Sequence, residues 1–222
     1  MDLIYAILSI VLIDLVLSGD NAAVIGLAIK DLPEQMRKSA AALGAGGAVV
    51  LRIIFTSLAT LLINIPYLNA IGGIILIWIT WNLLHPNEDA SSLEATNQYW
   101  VAVRNIIIAD VSMAFDNIMG VAGAAHGSIG LVIFGLAVSI PILVWGSSWL
   151  ARLMNRFPLI IYIGGAVLAH TAITMILRDN GLNVASVIGE LSITLIGIGV
   201  AIAVIVYGLF RLKSFDPSHH RH

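Results

Sequence analysis

The stretch Asp14-Leu15-Val16-Leu17-Ser18-Gly19-Asp20-Asn21 places two carboxylates and an amide in the middle of an apolar run. The same spacing recurs ninety-six residues later in Asp110-Val111-Ser112-Met113-Ala114-Phe115-Asp116-Asn117, inside a second apolar run. Both copies read Asp, five residues, then Asp-Asn. A soluble core helix seldom carries such a set, because buried carboxylates need partners. The interpretation of the whole chain therefore depends on these two stretches.

Composition indicates a membrane protein. Of the 222 residues, 59% are hydrophobic and 11% are charged, whereas a soluble domain carries about 25% charged residues. The mean hydropathy is +0.97, so we predict an all-α polytopic membrane protein.

The net charge of -2 is small and the basic residues are scattered, which argues against a nucleic-acid partner. The lack of cysteine excludes disulfides, thiolate metal sites and cysteine nucleophiles.

Hydropathy predicts seven transmembrane helices when about 20 apolar residues are taken as one crossing. Their predicted bounds are 2–29, 39–63, 68–85, 104–125, 128–150, 158–177 and 189–210. The first helix is longer than one crossing needs, which fits a tilt or a local break at Ser18-Gly19. The longest polar connection, residues 86–103, is predicted as a loop with room for one short helical turn.

The positions of lysine and arginine predict the orientation, because cytoplasmic connections are enriched in both. With the N-terminus outside, Arg178 alone falls on the outer side, and Arg52 lies within a helix. The other basic residues then fall inside: Lys30, Arg37, Lys38, Arg104, Arg152, Arg156, Arg211, Lys213 and Arg221. We therefore predict a plasma-membrane protein with an outer N-terminus and a cytoplasmic C-terminus.

This topology makes the repeat an inverted one, since three helices separate the two motifs. Pro66 precedes Gly72-Gly73 by six residues, and Pro158 precedes Gly164-Gly165 by the same distance. We predict one transmembrane domain, residues 1–222. It consists of inverted three-helix repeats at 2–85 and 104–177, a seventh helix at 189–210 and a tail at 211–222. Such repeats are typical of secondary transporters, which hold the substrate at the bilayer midplane.

The two motifs predict an all-oxygen cation site. Packing of the halves about a pseudo-twofold axis would bring together four carboxylates, two amides and one or two hydroxyls. Four ionised Asp residues near the bilayer centre would cost on the order of 10 kcal/mol unless protonated or neutralised. Oxygen ligands without cysteine favour Mn²⁺, Ca²⁺ or Mg²⁺ over Zn²⁺ or Cu⁺. The candidate metal ligands are Asp14, Ser18, Asp20, Asn21, Asp110, Ser112, Asp116 and Asn117. The alternative is that these side chains only hydrogen-bond the helices together.

Residues 17–22, Leu-Ser-Gly-Asp-Asn-Ala, and residues 109–117, Ala-Asp-x5-Asp-Asn, resemble the TerC family of integral membrane proteins, in particular its YjbE-type branch of proposed metal transporters. The resemblance covers nearly the whole chain. It implies metal export, best supported for Mn²⁺, in a superfamily that also contains lysine and cadmium exporters. The motif positions carried over are Asp14, Ser18, Asp20, Asn21, Asp110, Asp116 and Asn117. Two departures are Asp14, where many relatives have Glu, and Ala114, where they usually have Ser.

Energetics favour coupled transport. Expelling a divalent cation against an inside-negative potential costs about 2 × 2.3 kcal/mol per 100 mV, and the sequence has no Walker-type phosphate loop. The leading hypothesis is a secondary transporter, not an enzyme, that exports a divalent cation, first of all Mn²⁺, by cation/H⁺ antiport. No permanently bound cofactor is expected. The partners would be the cation, the lipid bilayer and either further copies of the chain or a membrane complex.

Three alternatives are weighed against this hypothesis. The chain could exchange Ca²⁺ or another cation, or it could be a scaffold or accessory subunit that delivers metal to secreted proteins, with helix seven as the partner surface. An intramembrane aspartyl protease is disfavoured, because Leu17 stands where a Gly-x-Gly-Asp signature requires glycine.

Two further polar residues, His170 and Arg52, lie within predicted helices, and both are candidates for a gate or proton relay. His170 is either a gate or proton relay, or a hydrogen-bonded packing residue. Arg52 is either a counter-ion for an Asp or a side chain that extends to the membrane surface, because an unpaired arginine in a membrane helix is costly.

The tail, residues 218–222, either binds metal through its histidines or is disordered.

Overall fold

The computed structural model describes residues 19–58, 65–85, 95–124 and 129–214. Within these ranges, only the helix backbone is described at residues 114–124 and at a few other positions. Seven α-helices lie in these ranges: α1 Gly19–Ile29, α2 Glu34–Ser57, α3 Leu68–Leu84, α4 Ala95–Ala124, α5 Ile129–Arg156, α6 Leu159–Leu177 and α7 Val184–Ser214. No strand occurs in the described ranges. The all-α prediction is therefore confirmed for this part of the chain.

Four of the helices are long and apolar enough to cross a membrane. The qualifying segments are Glu34–Phe55 in α2, Ala137–Arg156 in α5, Leu159–Leu177 in α6 and Val184–Lys213 in α7. Two shorter apolar helices are Asp20–Ile29 and Leu68–Leu84. Large apolar side chains cover the outer faces, with Trp145 70% exposed and Leu191 74% exposed. A water-soluble protein rarely presents so much apolar surface, whereas lipid covers it without cost.

The predicted helix bounds hold at α3 and α6 to within one residue, whereas α2 and α4 begin earlier, α5 ends later and α7 extends further at both ends. The predicted part of the first helix before residue 19 lies outside the described residues. Residues 95–103, predicted as loop, are helical, because α4 begins at Ala95. Similarly, α2 begins at Glu34 and α5 continues to Arg156. The reason is physical: hydropathy detects the part of a helix that lies in hydrocarbon, whereas the backbone hydrogen bonds continue into its polar ends.

Helix α7 contains a break at Gly189, where the backbone has φ 76° and ψ 157°. Glycine adopts this conformation without steric cost. The predicted start of the seventh helix, residue 189, coincides with the break, and the structure adds a helical turn from Val184 before it. Directly after the break, Arg178 Nη2 forms an exposed ion pair with Glu190 at 2.9 Å.

Most packing contacts join the first three helices to the next three. Helix α1 packs on α5, α4 packs on α2, α3 packs on α6, and α7 packs on α6. One glycine of each pair that the sequence singled out, Gly73 and Gly165, lies at the contact between α3 and α6. A Cβ atom on Gly73 would lie 2.5 Å from the Ala172 carbonyl oxygen, and one on Gly165 would lie 2.8 Å from the Leu84 side chain. Glycine therefore permits the two helices to approach closely.

Two buried apolar clusters surround the polar residues of α1 and α4. The first includes Leu27, Leu76, Met113 and Leu168, which come from α1, α3, α4 and α6 respectively. The second joins α1, α2, α4 and α5 and is built from Ile29, Ala41, Ile106, Ala151 and their neighbours. Both clusters include residues of α1 and α4, so polar groups on these helices are held within a packed interior.

Asp179 fixes the start of α3 to the connection between α6 and α7. The residue is 3% exposed, and its Oδ1 accepts hydrogen bonds from the backbone N–H groups of Gly181 at 2.7 Å and Tyr67 at 3.1 Å. Its Oδ2 accepts a third from Ala70 N–H at 3.0 Å. The carboxylate thus satisfies donors that the first turn of a helix leaves without intrahelical partners.

Candidate functional site

One residue from each sequence motif meets where α1 and α4 pack together. The Asn21 Nδ2 group donates a hydrogen bond to Asp110 Oδ1 at 3.0 Å. Asn21 is 3% exposed and the Asp110 side chain is 12% exposed. The convergence predicted from the paired motifs is therefore present for these two side chains.

Arg52 on α2 completes this contact. Its Nη2 donates to Asp110 Oδ1 at 2.5 Å, and the arginine is 2% exposed. A buried guanidinium facing a carboxylate forms a charge-assisted hydrogen bond, the strong class of protein hydrogen bond. Of the two interpretations left open for Arg52, the structure supports the counter-ion and not the side chain that extends to the membrane surface.

A small cavity opens onto the three polar side chains. It is lined by Asn21, Arg52 and Asp110 together with Val24, Ile25, Ala45, Ala48, Val49, Ile106 and Leu143. The Asn21 Oδ1 atom is buried and has no hydrogen-bond partner within the described part of the chain. Its Nδ2 faces Asp110, since the reverse orientation would bring two oxygen atoms to 3.0 Å. The cavity is thus lined by apolar side chains together with three polar ones: the amide of Asn21, the carboxylate of Asp110 and the guanidinium of Arg52.

Asp20 lies beside this group and contacts a fourth helix, α6. Its Oδ1 accepts a hydrogen bond from Asn21 N–H at 2.9 Å, and its Oδ2 accepts one from Thr171 Oγ1 at 3.3 Å on α6. Sequence reasoning missed Thr171. The available signal was a hydroxyl in a largely apolar helix, next to the candidate residue His170.

Ser112 and His170 contact groups other than Asn21 and Asp110. Ser112 is 2% exposed, and its hydroxyl donates to the Ile108 carbonyl of its own helix at 2.8 Å. The ring of His170 packs against α7, where a Cβ atom on Gly197 would lie 2.5 Å from its Nδ1. The candidate role of Ser112 as a ligand and that of His170 as a gate or relay stay predictions.

The remaining candidate ligands lie outside the described residues. Asp14 and Ser18 precede residue 19, and the side chains of Asp116 and Asn117 belong to the stretch described by backbone alone. Their roles therefore stay predictions. Within the described part of the chain, no three His, Cys, Asp or Glu side chains are grouped closely enough to hold a metal ion.

Ser148 on α5 is the position ninety-six residues after Arg52, the spacing that separates the two motifs. It is 2% exposed, and its buried hydroxyl has no hydrogen-bond partner among the described residues. This position therefore carries a neutral hydroxyl, whereas the position ninety-six residues earlier carries a guanidinium.

The amino-acid sequence is similar to those of known membrane proteins. Residues 1–214 match the model of the integral membrane protein TerC family. The chain is 43% identical over 182 residues to the uncharacterized membrane protein YjbE of Bacillus subtilis, which covers 82% of this chain and 84% of that protein.

More distant relatives are similar over part of their length. The chain is 26% identical over 163 residues to the uncharacterized membrane protein YkoY of Bacillus subtilis, covering 64% of this chain and 50% of that protein. It is 20% identical over 198 residues to the inner membrane protein YoaE of Escherichia coli, covering 80% of this chain and 38% of that protein. No solved structure matches the chain.

Proposed function

The chain belongs to the integral membrane protein TerC family, and from that premise we propose that it is a secondary transporter that exports a divalent metal cation. The observation that carries the proposal is the contact of Asn21, Asp110 and Arg52 beside a small cavity, with Asp20 next to it. Carboxylates within membrane helices are costly to bury, and the positions that carry them mark substrate and ion pathways.

An inverted-repeat architecture is part of the proposal. Under a twofold relation between the halves, α1 corresponds to α4, α2 to α5 and α3 to α6. The observed packing of α1 on α5 then corresponds to that of α4 on α2, and the contact of α3 with α6 lies on the axis. These pairings support two repeats that enclose a site between them, the arrangement of many secondary transporters.

The chemistry of the donors supports a hard divalent cation. Asp20, Asp110 and the Oδ1 atom of Asn21 offer oxygen only, and cysteine is absent from the sequence. Oxygen sites suit Mn²⁺, Ca²⁺ and Mg²⁺. We assign Mn²⁺ as the first candidate, with Asp14, Asp116 and Asn117 completing the ligand set.

The proposed orientation, with the C-terminus in the cytoplasm, is supported by contacts at one end of the bundle. Asn155 Nδ2 and Arg37 Nη2 both donate to the Lys30 carbonyl, at 2.7 and 2.8 Å. Arg152 lies 3.9 Å from Glu34 at the same end. Lysine and arginine thus collect where α1 and α5 end and α2 begins, as expected of a cytoplasmic face.

Coupling to protons is the final part of the proposal. Export of a doubly charged ion against the membrane potential requires an energy source, and aspartate carboxylates can bind either a cation or protons. In alternating access with cation/H⁺ exchange at Asp20 and Asp110, the proton gradient would supply the energy for export.

The test is Mn²⁺ uptake into inverted membrane vesicles under an imposed pH gradient. Asp20→Asn, Asp110→Asn and Asp116→Asn are each expected to reduce the flux by about tenfold or more, since each removes a charged ligand. Glu190→Gln, which neutralises an exposed carboxylate on α7, is the matched control and should retain the flux. Unchanged flux in all three site variants would overturn the proposed site. A flux independent of the pH gradient would overturn the antiport alone.

A further inference from the structure

We propose that Arg52 is a specificity-determining residue: its guanidinium competes with the transported cation for Asp110, so that divalent cations are selected over monovalent ones. This inference rests on the proposed function. The observation behind it is that one atom, Asp110 Oδ1, accepts hydrogen bonds from both Arg52 Nη2 at 2.5 Å and Asn21 Nδ2 at 3.0 Å.

A cation that bound Asp110 through this oxygen would have to displace both donors. Hard divalent cations lie about 2.0 to 2.6 Å from their oxygen ligands. A guanidinium in hydrogen-bond contact with the same oxygen would then lie next to a second positive charge, in surroundings where water does not screen the repulsion. The bound cation and the Arg52–Asp110 contact therefore exclude each other.

Tethering makes Arg52 an effective competitor. The side chain is 2% exposed and is attached to α2 beside the cavity that it lines. Since the guanidinium cannot diffuse away, its local concentration near Asp110 is high regardless of the ions in solution. A monovalent ion carries the same single charge without the directional hydrogen bonds of a guanidinium. A divalent ion carries twice the charge and is able to displace it.

Asn21 would change its role when a cation displaces Arg52 from Asp110. In the structure its Nδ2 group points at Asp110 while its Oδ1 is buried without a hydrogen-bond partner among the described residues. An amide nitrogen does not ligate a metal cation, whereas an amide oxygen does. Rotation of the Asn21 amide would thus remove a donor from Asp110 and present an acceptor to the incoming cation.

The test measures cation binding directly, using purified protein in lipid nanodiscs and isothermal titration with Mn²⁺, in the presence and absence of Na⁺. Arg52→Gln removes the competing charge and keeps a polar amide. We expect it to bind Mn²⁺ at least about tenfold more tightly, because the tethered competitor is lost, and to become sensitive to Na⁺. Arg104→Gln removes an exposed charge from the same helix as Asp110 and should behave like the parent protein.

Folded Arg52→Gln that binds Mn²⁺ no more tightly than the parent, with no sensitivity to Na⁺, would overturn the inference while leaving the proposed function intact. A parent protein that neither binds nor transports Mn²⁺, Ca²⁺ or Mg²⁺ would overturn both. Circular dichroism and size-exclusion chromatography establish that each variant is folded.

Arg52→Lys is the second variant, in case Arg52→Gln does not fold. Lysine keeps the charge but has a shorter reach and no planar fork, so its contact with Asp110 should be weaker. We expect Mn²⁺ binding to tighten by about two- to fivefold, because a weaker competitor is displaced more easily. Binding equal to or weaker than that of the parent would contradict the competition. Arg52→Gln combined with Asp110→Asn should fold and show no gain in affinity, because the contested carboxylate is gone.

Discussion

Arg52 and Asp110 lie 58 residues apart in the sequence, on α2 and α4, and their side chains meet at 2.5 Å in the interior of the protein. Both are largely removed from solvent, with side chains 2% and 12% exposed. A buried ion pair of this kind is costly to break on one side, because the charge that is left must remain in a poorly solvated place. The pair therefore links the stability of the bundle to the chemistry of the site.

Asp110→Asn should destabilise the folded protein by about 3 to 5 kcal/mol, because it leaves a buried guanidinium without its carboxylate. Adding Arg52→Gln should restore much of this stability, since the double variant contains neither charge. Cation flux should stay low in both variants. The measurement is a double-mutant cycle of unfolding in detergent micelles. Single-variant effects that simply add would show that the two side chains do not interact.

Thr171→Val should weaken cation binding by about two- to tenfold through the loss of the hydrogen bond to Asp20 Oδ2, a neutral donor worth about 0.5 to 1.5 kcal/mol. Thr171→Ser should retain most of the affinity. Thr174→Val is the matched control, because the Thr174 hydroxyl donates within α6 to the His170 and Thr171 carbonyls. The readout is the Mn²⁺ concentration at half-maximal flux. Equal effects at both positions would contradict a specific role for Thr171.

Gly73→Ala should destabilise the contact of α3 with α6. The added Cβ atom would lie 2.5 Å from the backbone oxygen of Ala172, and overpacking of this kind costs about 1 to 3 kcal/mol. Gly46→Ala on α2 is the control, because nothing lies within 4 Å of its Cβ position. That change should be neutral or stabilising by up to about 1 kcal/mol, owing to the better helix propensity of alanine. Thermal unfolding in detergent compares the two, and equal shifts would refute the close approach.

The orientation can be tested by cysteine labelling, since the chain has no native cysteine. Ser186→Cys, near the start of α7, should react with a membrane-impermeant maleimide added to intact cells. Ser39→Cys, near the start of α2, should react only in inverted vesicles. Both serines are exposed, so the added reagent can reach either position from its own side. The reverse labelling pattern would refute an outer N-terminus.

Local sequence properties were sufficient to locate the helices in the described part of the chain. The apolar segments, the Pro–Gly–Gly spacing at the start of α3 and α6, and the glycine at residue 189 are each properties of a short stretch of sequence. The prediction was wrong for residues 95–103, because a polar helix end looks like a loop when hydropathy is the guide. Helix propensity and backbone hydrogen bonds do not end where the hydrocarbon ends.

The sequence by itself determined that this is an α-helical membrane protein with two copies of an acidic motif, because hydropathy, spacing and side-chain chemistry are properties of the chain. It also pointed to Arg52 as a charge in need of a partner. Only the tertiary structure decided that the partner is Asp110, that Asn21 joins them, and that Thr171 reaches Asp20. Those relationships depend on which helix faces meet and at what depth, and packing between distant segments sets both.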